Sequence, residues 1–138
     1  TVLTLEPGLA AVQSLYNLAA RQNDGVISRL GEIGIPFVAY WPLIGRGLRP
    51  EHKAALFAEL EQIGARLDVT AHQLSLAWIF TTQPHALAIV GSRSLPHLAL
   101  NLQAAGIELA PSVVAEIDAA VQSTIGDIPF DPRFPEDH

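Results

Sequence analysis

The fold is decided by the stretch from Ile35 to Trp41, which reads IPFVAYW. All seven residues are apolar or aromatic, so both faces of a strand formed here would be apolar. A strand that is apolar on both faces is typical of a parallel sheet that is covered on both sides. Pro36 stands near the start, where the missing N–H is tolerated. We therefore predict a buried parallel strand from Ile35 to Trp41.

Strand and helix patterns alternate on both sides of this stretch. Upstream, we predict a strand from Leu9 to Tyr16 and a helix from Gly25 to Ile33, with Gly34 just past its end. Downstream, the apolar spacing predicts one further strand, Ala86–Val90, and four helices: Pro50–Leu67 (with the stripe Leu56, Leu60, Ile63 and Leu67), Ala71–Thr82 (capped by Thr70), Leu95–Ala105 and Pro111–Gln122. This order predicts an α/β fold with a parallel sheet and right-handed crossovers, in a single domain over residues 1–138.

The composition indicates that this domain is not self-sufficient. The chain has 138 residues, of which 49% are hydrophobic and 16% charged, whereas an average soluble domain carries about 25% charged residues. A three-stranded sheet would also leave two apolar edges exposed, which soluble proteins avoid. The chain contains no Met, even at position 1, so we expect a processed, trimmed or excised polypeptide that is buried against something or belongs to a larger fold.

Charge and composition exclude several classes of partner. A net charge of −6 and a pI near 5.2 argue against nucleic acid and anionic membranes. No apolar run approaches the roughly 18 residues of a transmembrane helix. The five histidines show no metal-binding spacing, and the absence of Cys fits a reducing cytoplasm. We therefore predict a cytoplasmic protein with no metal site.

Ligands of parallel α/β folds gather where the strands end. After the last predicted strand, Gly91 permits close approach of a ligand, Ser92 and Ser94 offer hydroxyl groups, and Arg93 offers a cation suited to phosphate. The following helix adds N–H groups and the positive end of its dipole. This combination predicts an anion site, although an ordinary turn with Ser94 as N-cap has the same sequence.

Two other strand exits carry candidate residues. The run Gly45-Arg46-Gly47 suits either a pyrophosphate or a flexible turn. Tyr40 or Trp41 suits a flat ring, and since neighbours on a strand point to opposite faces, we expect at most one of them on the ligand side. Gln13 lies in an apolar strand, where a buried amide would bond a carboxamide or the neighbouring backbone.

Four motifs in this order resemble the aldo/keto reductase family. Their order and spacing match from about Leu9 to Ala120. The segments are Val12–Leu18 (similar to barrel strand six), Ile35–Leu43 with Gly45–Leu48 (strand seven and its loop), Thr70–Trp78 (the helix before strand eight), and Ala88–Ser94 with His97, Leu98 and Asn101 (strand eight and the adenosine-phosphate segment). The resemblance implies a partial (β/α)8 TIM barrel that contributes strands six to eight.

The resemblance also implies an NADP(H)-dependent oxidoreductase that reduces aldehydes or ketones. Gln13 would bond the nicotinamide carboxamide, Tyr40 would stack on the nicotinamide ring, and the loop from Leu43 through Gly45, Arg46 and Gly47 would cover the pyrophosphate. Ser92, Arg93 and Ser94 would hold the 2′-phosphate, and Asn101, with His97 nearby, would contact adenine.

This sequence departs from the family pattern at several positions. Trp41 stands where the family usually has a small residue, and Leu100 where it often has an acid. The catalytic Asp, Tyr, Lys and His group of the family lies on the first four strands, which have no match here. We therefore assign no catalytic residue and expect the isolated chain to be inactive. Two alternatives stay open. One is a non-catalytic, NADP-binding or regulatory half-barrel that assembles with itself or with a separate N-terminal half, and the other is a decayed gene product or expression fragment without function.

Overall fold

The computed structural model describes residues 8–44 and 47–126. The predicted alternation of strands and helices is confirmed over this part of the chain. In chain order the elements are β1 (Val12–Leu15), α1 (Asp24–Glu32), β2 (Phe37–Tyr40), α2 (Pro50–Leu67), α3 (Ala71–Thr82), β3 (Ala86–Ile89), α4 (Leu95–Gln103), a short 3-10 helix (Ala104–Gly106) and α5 (Pro111–Thr124).

The sheet has the order β1-β2-β3, and both pairings are parallel. Phe37 of β2 is paired with Val12 on one side and Ala86 on the other. All three strands therefore end at the same edge of the sheet, which brings the three loops that follow them together. The prediction of an α/β fold with a parallel sheet is confirmed, and the sheet is consistent with part of a barrel.

Helix α3 forms the centre of the core, and its beginning is determined by the sequence. The Thr70 side chain accepts a hydrogen bond from the N–H of Gln73, whose side chain accepts one from the N–H of Thr70. This reciprocal pair is a capping box, which satisfies two N–H groups that a helix start leaves without partners. Eight of the twelve residues of α3 are buried, and Leu74 and Ile79 are fully so. Helix α3 therefore anchors the helical layer against one face of the sheet.

Several sequence predictions are wrong in detail. The hydrogen-bonded strands are shorter than the apolar runs, since pairing covers only four residues in each, and α4 tightens into a 3-10 turn after Gln103. Leu67 is 41% exposed rather than buried. The chain turns at Asp68, which adopts φ 56°, and the Val69 carbonyl passes directly over Gly64. Val69, rather than Leu67, therefore packs against the core.

Large apolar side chains are exposed on the edge strand β3 and on helix α4. Leu87 and Ile89 of β3 are 58% and 52% exposed, and Leu95 and Leu102 of α4 are 81% and 69% exposed. This agrees with the expectation of an apolar surface at the margin of a thin sheet. No helix in the described part of the chain is long and apolar enough to cross a membrane. Residues 1–7 and 127–138 of the predicted single domain lie outside the described residues.

Candidate functional site

Gln13 and Tyr40 lie on the same face of the sheet. Gln13 is paired with Val38, two positions before Tyr40 on β2, and side chains two positions apart on a strand share a face. Gln13 is exposed and Tyr40 is half-buried. The prediction of a buried Gln13 amide is therefore wrong, because β1 is an edge strand whose face is open here. An exposed amide near the strand end retains its donors and acceptor for a ligand.

The Tyr40 and Trp41 rings contact each other, with centroids 5.6 Å apart and planes at 85°. The expected alternation of the two side chains does not hold, because β2 ends at Tyr40 and Trp41 lies beyond the strand. That at most one of the rings faces a ligand stays a prediction. Trp41 adopts φ 51°, in the left-handed region that bulky residues rarely occupy. The two rings together form an aromatic wall at the exit of β2.

Asn17 is hydrogen-bonded to the backbone of this aromatic wall. It was not identified as a site residue from the sequence. It is 1% exposed, and its side-chain N–H donates to the Trp41 carbonyl over 2.9 Å. Its Oδ1 accepts from the N–H groups of Ala19 at 2.9 Å and Ala20 at 3.0 Å. The signal in the sequence is a polar residue directly after the buried Tyr16, but its partner lies 24 positions along the chain.

The loop after β2 is anchored on both sides. Ile44 and Leu48 are each 6% exposed and belong to the core, while Leu43 is half-buried. Gly47 is buried and adopts φ 84°, which glycine reaches without steric cost. Gly45 and Arg46, the other predicted contacts to a pyrophosphate, lie outside the described residues.

Ser92, Arg93 and Ser94 line one surface depression of about 310 Å³, together with Val90, Leu95 and Leu98. All three polar residues are exposed. The Ser92 hydroxyl donates to the Ser94 carbonyl at 2.9 Å, and Ser94 caps α4 by accepting from the N–H of His97 at 3.3 Å. The structure thus brings the predicted anion-site residues together, and Ser94 is also the N-cap.

The first turn of α4 offers fewer N–H groups to an anion than predicted. The N–H of His97 is taken by the Ser94 side chain and that of Leu98 by the Ser94 carbonyl, while Pro96 has none. This leaves the N–H of Leu95 as the one candidate among residues 95–98. An anion here would therefore depend more on the Arg93 guanidinium than on the helix backbone.

Gly91 and the exposed side of α4 complete this part of the site. A Cβ added at Gly91 would have no heavy atom within 4 Å, so packing among the described residues does not require glycine there. His97 is exposed, and Asn101 follows it by one helical turn and is half-buried. Residues separated by four positions lie on the same side of a helix, so both are available beyond the depression.

Tyr16, which immediately follows β1, has a structural role. Its side chain is fully buried and its hydroxyl donates to Asp24 Oδ1 at 2.7 Å. Burial raises the pKa of Tyr16 above its ordinary range, and the adjacent Asp24 carboxylate raises it further. Its ring stacks on Trp78 with centroids 5.9 Å apart, and Trp78 in turn carries the Arg21 guanidinium at 4.1 Å from its own ring centroid. A phenol with these contacts is a weak acid that is held within the core.

The charge of His97 is one of the influences on the pKa of His72, which lies on α3. The His72 ring lies 5.3 Å from that of Phe57. Burial of this ring lowers the pKa of His72, and the charges of His97 and Lys53 lower it further. Among residues 8–44 and 47–126, no three His, Cys, Asp or Glu side chains are grouped closely enough to hold a metal ion.

The model of the aldo/keto reductase family matches residues 2–122. The chain belongs to the aldo/keto reductase family. This confirms the family that the four sequence motifs predicted.

The aldo/keto reductase relatives are considerably longer than this chain. It is 33% identical over 110 residues to pyridoxine 4-dehydrogenase of Escherichia coli, covering 80% of this chain and 36% of that protein. It is also 33% identical over 110 residues to an uncharacterized oxidoreductase of Schizosaccharomyces pombe, covering 80% of this chain and 34% of that one. The chain therefore spans about a third of the length of these curated relatives.

Solved structures of aldo/keto reductases share the fold of this chain over most of its length. One from Klebsiella pneumoniae, in complex with NADP and acetate, superimposes with a TM-score of 0.70 and 31% identity, covering 80% of this chain and 38% of that chain. Another from Klebsiella pneumoniae, in complex with NADPH, gives a TM-score of 0.70 and 29% identity over the same shares.

Proposed function

We propose that this chain is the NADP(H)-binding portion of a cytoplasmic aldo/keto reductase that reduces aldehydes or ketones to alcohols. In this proposal residues 1–138 form one unit that contributes strands six to eight of the barrel, so that β1, β2 and β3 correspond to these three strands. The observation that carries it is the convergence of three parallel strand exits on one edge, with Gln13 and Tyr40 on one face. The NADP-bound relatives support the choice of cofactor.

The residues at the third exit fit the phosphate end of the cofactor. Ser92, Arg93 and Ser94 surround one depression, and a ligand can approach the backbone at Gly91 without displacing a protein atom. A guanidinium beside two hydroxyl groups suits the 2′-phosphate that distinguishes NADP from NAD. His97 and Asn101, on the same side of α4, would extend the site toward adenine.

The residues at the first two exits fit the nicotinamide end. The exposed Gln13 amide would donate to and accept from the carboxamide, and the Tyr40 ring would stack against the pyridine ring. Leu43 and Gly47, with Gly45 and Arg46, would cover the pyrophosphate. When bound, the cofactor would supply the hydride for carbonyl reduction, while the protein positions its reactive carbon and excludes water.

We propose that the isolated chain does not catalyse reduction. No residue of the 138 matches the Asp, Tyr, Lys and His group that the resemblance assigns to the first strands of the barrel. Tyr16 is buried and bonded to Asp24, and Tyr40 belongs to the proposed cofactor wall. Protonation of the carbonyl oxygen therefore requires a group from another part of the barrel.

Binding and turnover measurements on the purified chain test this proposal. NADPH fluorescence should increase on titration with the 138-residue chain, and NADPH should bind more tightly than NADH. No aldehyde or ketone should accelerate NADPH oxidation. Failure to bind NADPH, or a measurable reductase rate from the isolated chain, would contradict the proposal.

One observation favours a second candidate, a non-catalytic NADP-binding half-barrel that assembles with itself or with a separate partner. The side chains of Leu87, Ile89, Leu95 and Leu102 are exposed. Apolar side chains exposed to water are typical of a surface that binds another protein. Light scattering of the purified chain tests the self-assembling form of this candidate. A defined dimer that binds NADPH without turnover would favour self-assembly, and a monodisperse monomer would exclude it.

A further inference from the structure

We propose that Asn17 is a positioning residue for the cofactor site, because it fixes the backbone turn that holds the Tyr40–Trp41 aromatic wall. Only one part of this inference, the effect of Asn17 on NADPH binding, rests on the proposed function. Asn17 itself is 1% exposed, so its effect on a ligand would pass through the Trp41 carbonyl and the two rings.

The hydrogen bonds of Asn17 continue the parallel pairing of β1 and β2 past the end of the sheet. The last backbone rung joins the N–H of Tyr16 to the Tyr40 carbonyl at 3.4 Å. One residue further on, the Asn17 side-chain N–H donates to the Trp41 carbonyl at 2.9 Å. The amide side chain thus takes the place of a backbone donor at the point where β2 leaves its extended conformation.

The conformation of Trp41 explains why a fixed donor is needed here. A tryptophan with φ 51° is strained, and such a conformation persists only where surrounding contacts determine it. A return of Trp41 to an extended conformation would redirect its carbonyl and its ring. The edge-to-face contact with Tyr40 at 5.6 Å would then be lost, and with it the shape of the wall proposed to contact nicotinamide.

Asn17 also stabilises its own turn, and the two roles are separable by chemistry. Its Oδ1 accepts the N–H groups of Ala19 and Ala20, whereas its Nδ2 donates to Trp41. In Asn17→Asp, the carboxylate keeps an oxygen for the two alanine N–H groups but places a second oxygen against the Trp41 carbonyl. Protonation of the introduced carboxyl restores a donor, because a neutral carboxylic acid has one O–H.

Near-ultraviolet circular dichroism provides a readout that a purely local role of Asn17 would leave unchanged. We call the ring-pair component the part of the wild-type spectrum that is absent from Trp41→Phe. It comes from the Trp41 ring in its fixed environment, including the contact with Tyr40. We expect Asn17→Asp to lose this component at pH 7 and to regain it reversibly as the pH is lowered through the pKa of the introduced carboxyl. Arg21, whose Nε donates to the Leu18 carbonyl in the same turn, opposes this protonation, although its charge is paired with Asp118 at 2.8 Å. The Asp24 carboxylate, which accepts the hydroxyl of the adjacent Tyr16, favours protonation.

Asn23→Asp is a matched control. The Asn23 amide also donates to a backbone carbonyl, that of Leu15 at 3.0 Å, and to Ser14 Oγ at 3.1 Å. The Asn23→Asp variant therefore loses comparable hydrogen-bond donors without affecting Trp41. Its spectrum should keep the ring-pair component at pH 7. An Asn17→Asp spectrum that keeps this component, or a loss of it that is equal in both variants, would refute the role of Asn17.

A second variant decides the question if Asn17→Asp is unfolded at pH 7. Glycine accepts φ 51° without strain. The turn in Trp41→Gly therefore depends less on the hydrogen bond from Asn17. We expect Asn17→Asp to lower the midpoint of thermal unfolding less in the Trp41→Gly background than in the wild type, both measured at a pH where all four proteins fold. An equal decrease in the two backgrounds would overturn the proposal.

The NADPH titration links the turn to the site. We expect the Kd for NADPH to rise about tenfold in Asn17→Asp at pH 7, the equivalent of one lost hydrogen bond, and to stay unchanged in Asn23→Asp. If the wild-type chain binds no NADPH, the proposed function fails while the spectroscopic comparison still decides the role of Asn17. An unchanged Kd in Asn17→Asp with a lost ring-pair signal would show that the wall does not contact the cofactor.

Discussion

Replacement of Arg93 by methionine tests whether the depression after β3 recognises the 2′-phosphate. Arg93 is exposed, and no ion pair or side-chain hydrogen bond joins it to another described residue. Its removal should therefore change stability by no more than about 0.5 kcal/mol, as for most surface positions. A charge-assisted hydrogen bond contributes about 1.5–3 kcal/mol, so loss of the guanidinium should weaken NADPH binding roughly 10- to 150-fold.

Titration of each variant with NADPH and with NADH, followed by cofactor fluorescence, measures this effect. NADH lacks the 2′-phosphate, so its affinity should change little in Arg93→Met. Arg29→Met is a suitable control, since it removes the same charge from an exposed arginine that pairs with Glu32 on α1. Equal weakening for both cofactors, or equal weakening by both variants, would refute phosphate recognition by Arg93.

Three further predictions concern the phosphate site and the helix α3. Gly91→Ala should change the thermal unfolding midpoint little, since a Cβ added there meets no heavy atom within 4 Å. It should raise the Kd for NADPH severalfold, and an unchanged Kd would show that no ligand approaches the backbone there. Thr70→Ala removes the capping box with Gln73 and should cost about 1 kcal/mol, a decrease of about 3 °C in calorimetry, whereas an unaltered midpoint would contradict the capping role. The pKa of His72, beside Phe57, is lowered in the folded chain, so the unfolded chain takes up a proton at this histidine first. The free energy of unfolding should therefore fall as the pH drops through about 6.5. Denaturant titrations between pH 7 and 5 should show a smaller fall in His72→Gln, and an identical fall would exclude this contribution.

The features that were predictable from the sequence are those determined by local chemistry. Helix α3 begins and ends where Thr70 and the apolar spacing predicted, because a capping box involves residues only three positions apart. The Gly34 turn was predictable for the same reason, and it adopts φ 72°. The cluster Ser92–Ser94 was predictable because a strand exit and an N-cap are encoded by consecutive residues.

The features that were missed depend on contacts between distant residues. Gln13 was expected to be buried because its neighbours are apolar, but its exposure depends on which strand lies beside β1. The contact between Tyr40 and Trp41 depends on where β2 stops pairing, which hydrophobicity does not determine. Asn17 was missed because its partner, the Trp41 carbonyl, is brought close only by the parallel pairing of β1 and β2.

Amide chemical-shift mapping of the isotopically labelled chain with NADP⁺ tests the central claim most directly, namely that three strand exits form one cofactor site. The account predicts shifts at Gln13, at Tyr40 and Trp41, and from Gly91 to His97, all saturating with one dissociation constant. The fragment 2′,5′-ADP should shift only the Gly91–His97 group. Shifts confined to other surfaces, or two groups that saturate at unrelated concentrations, would contradict a single site.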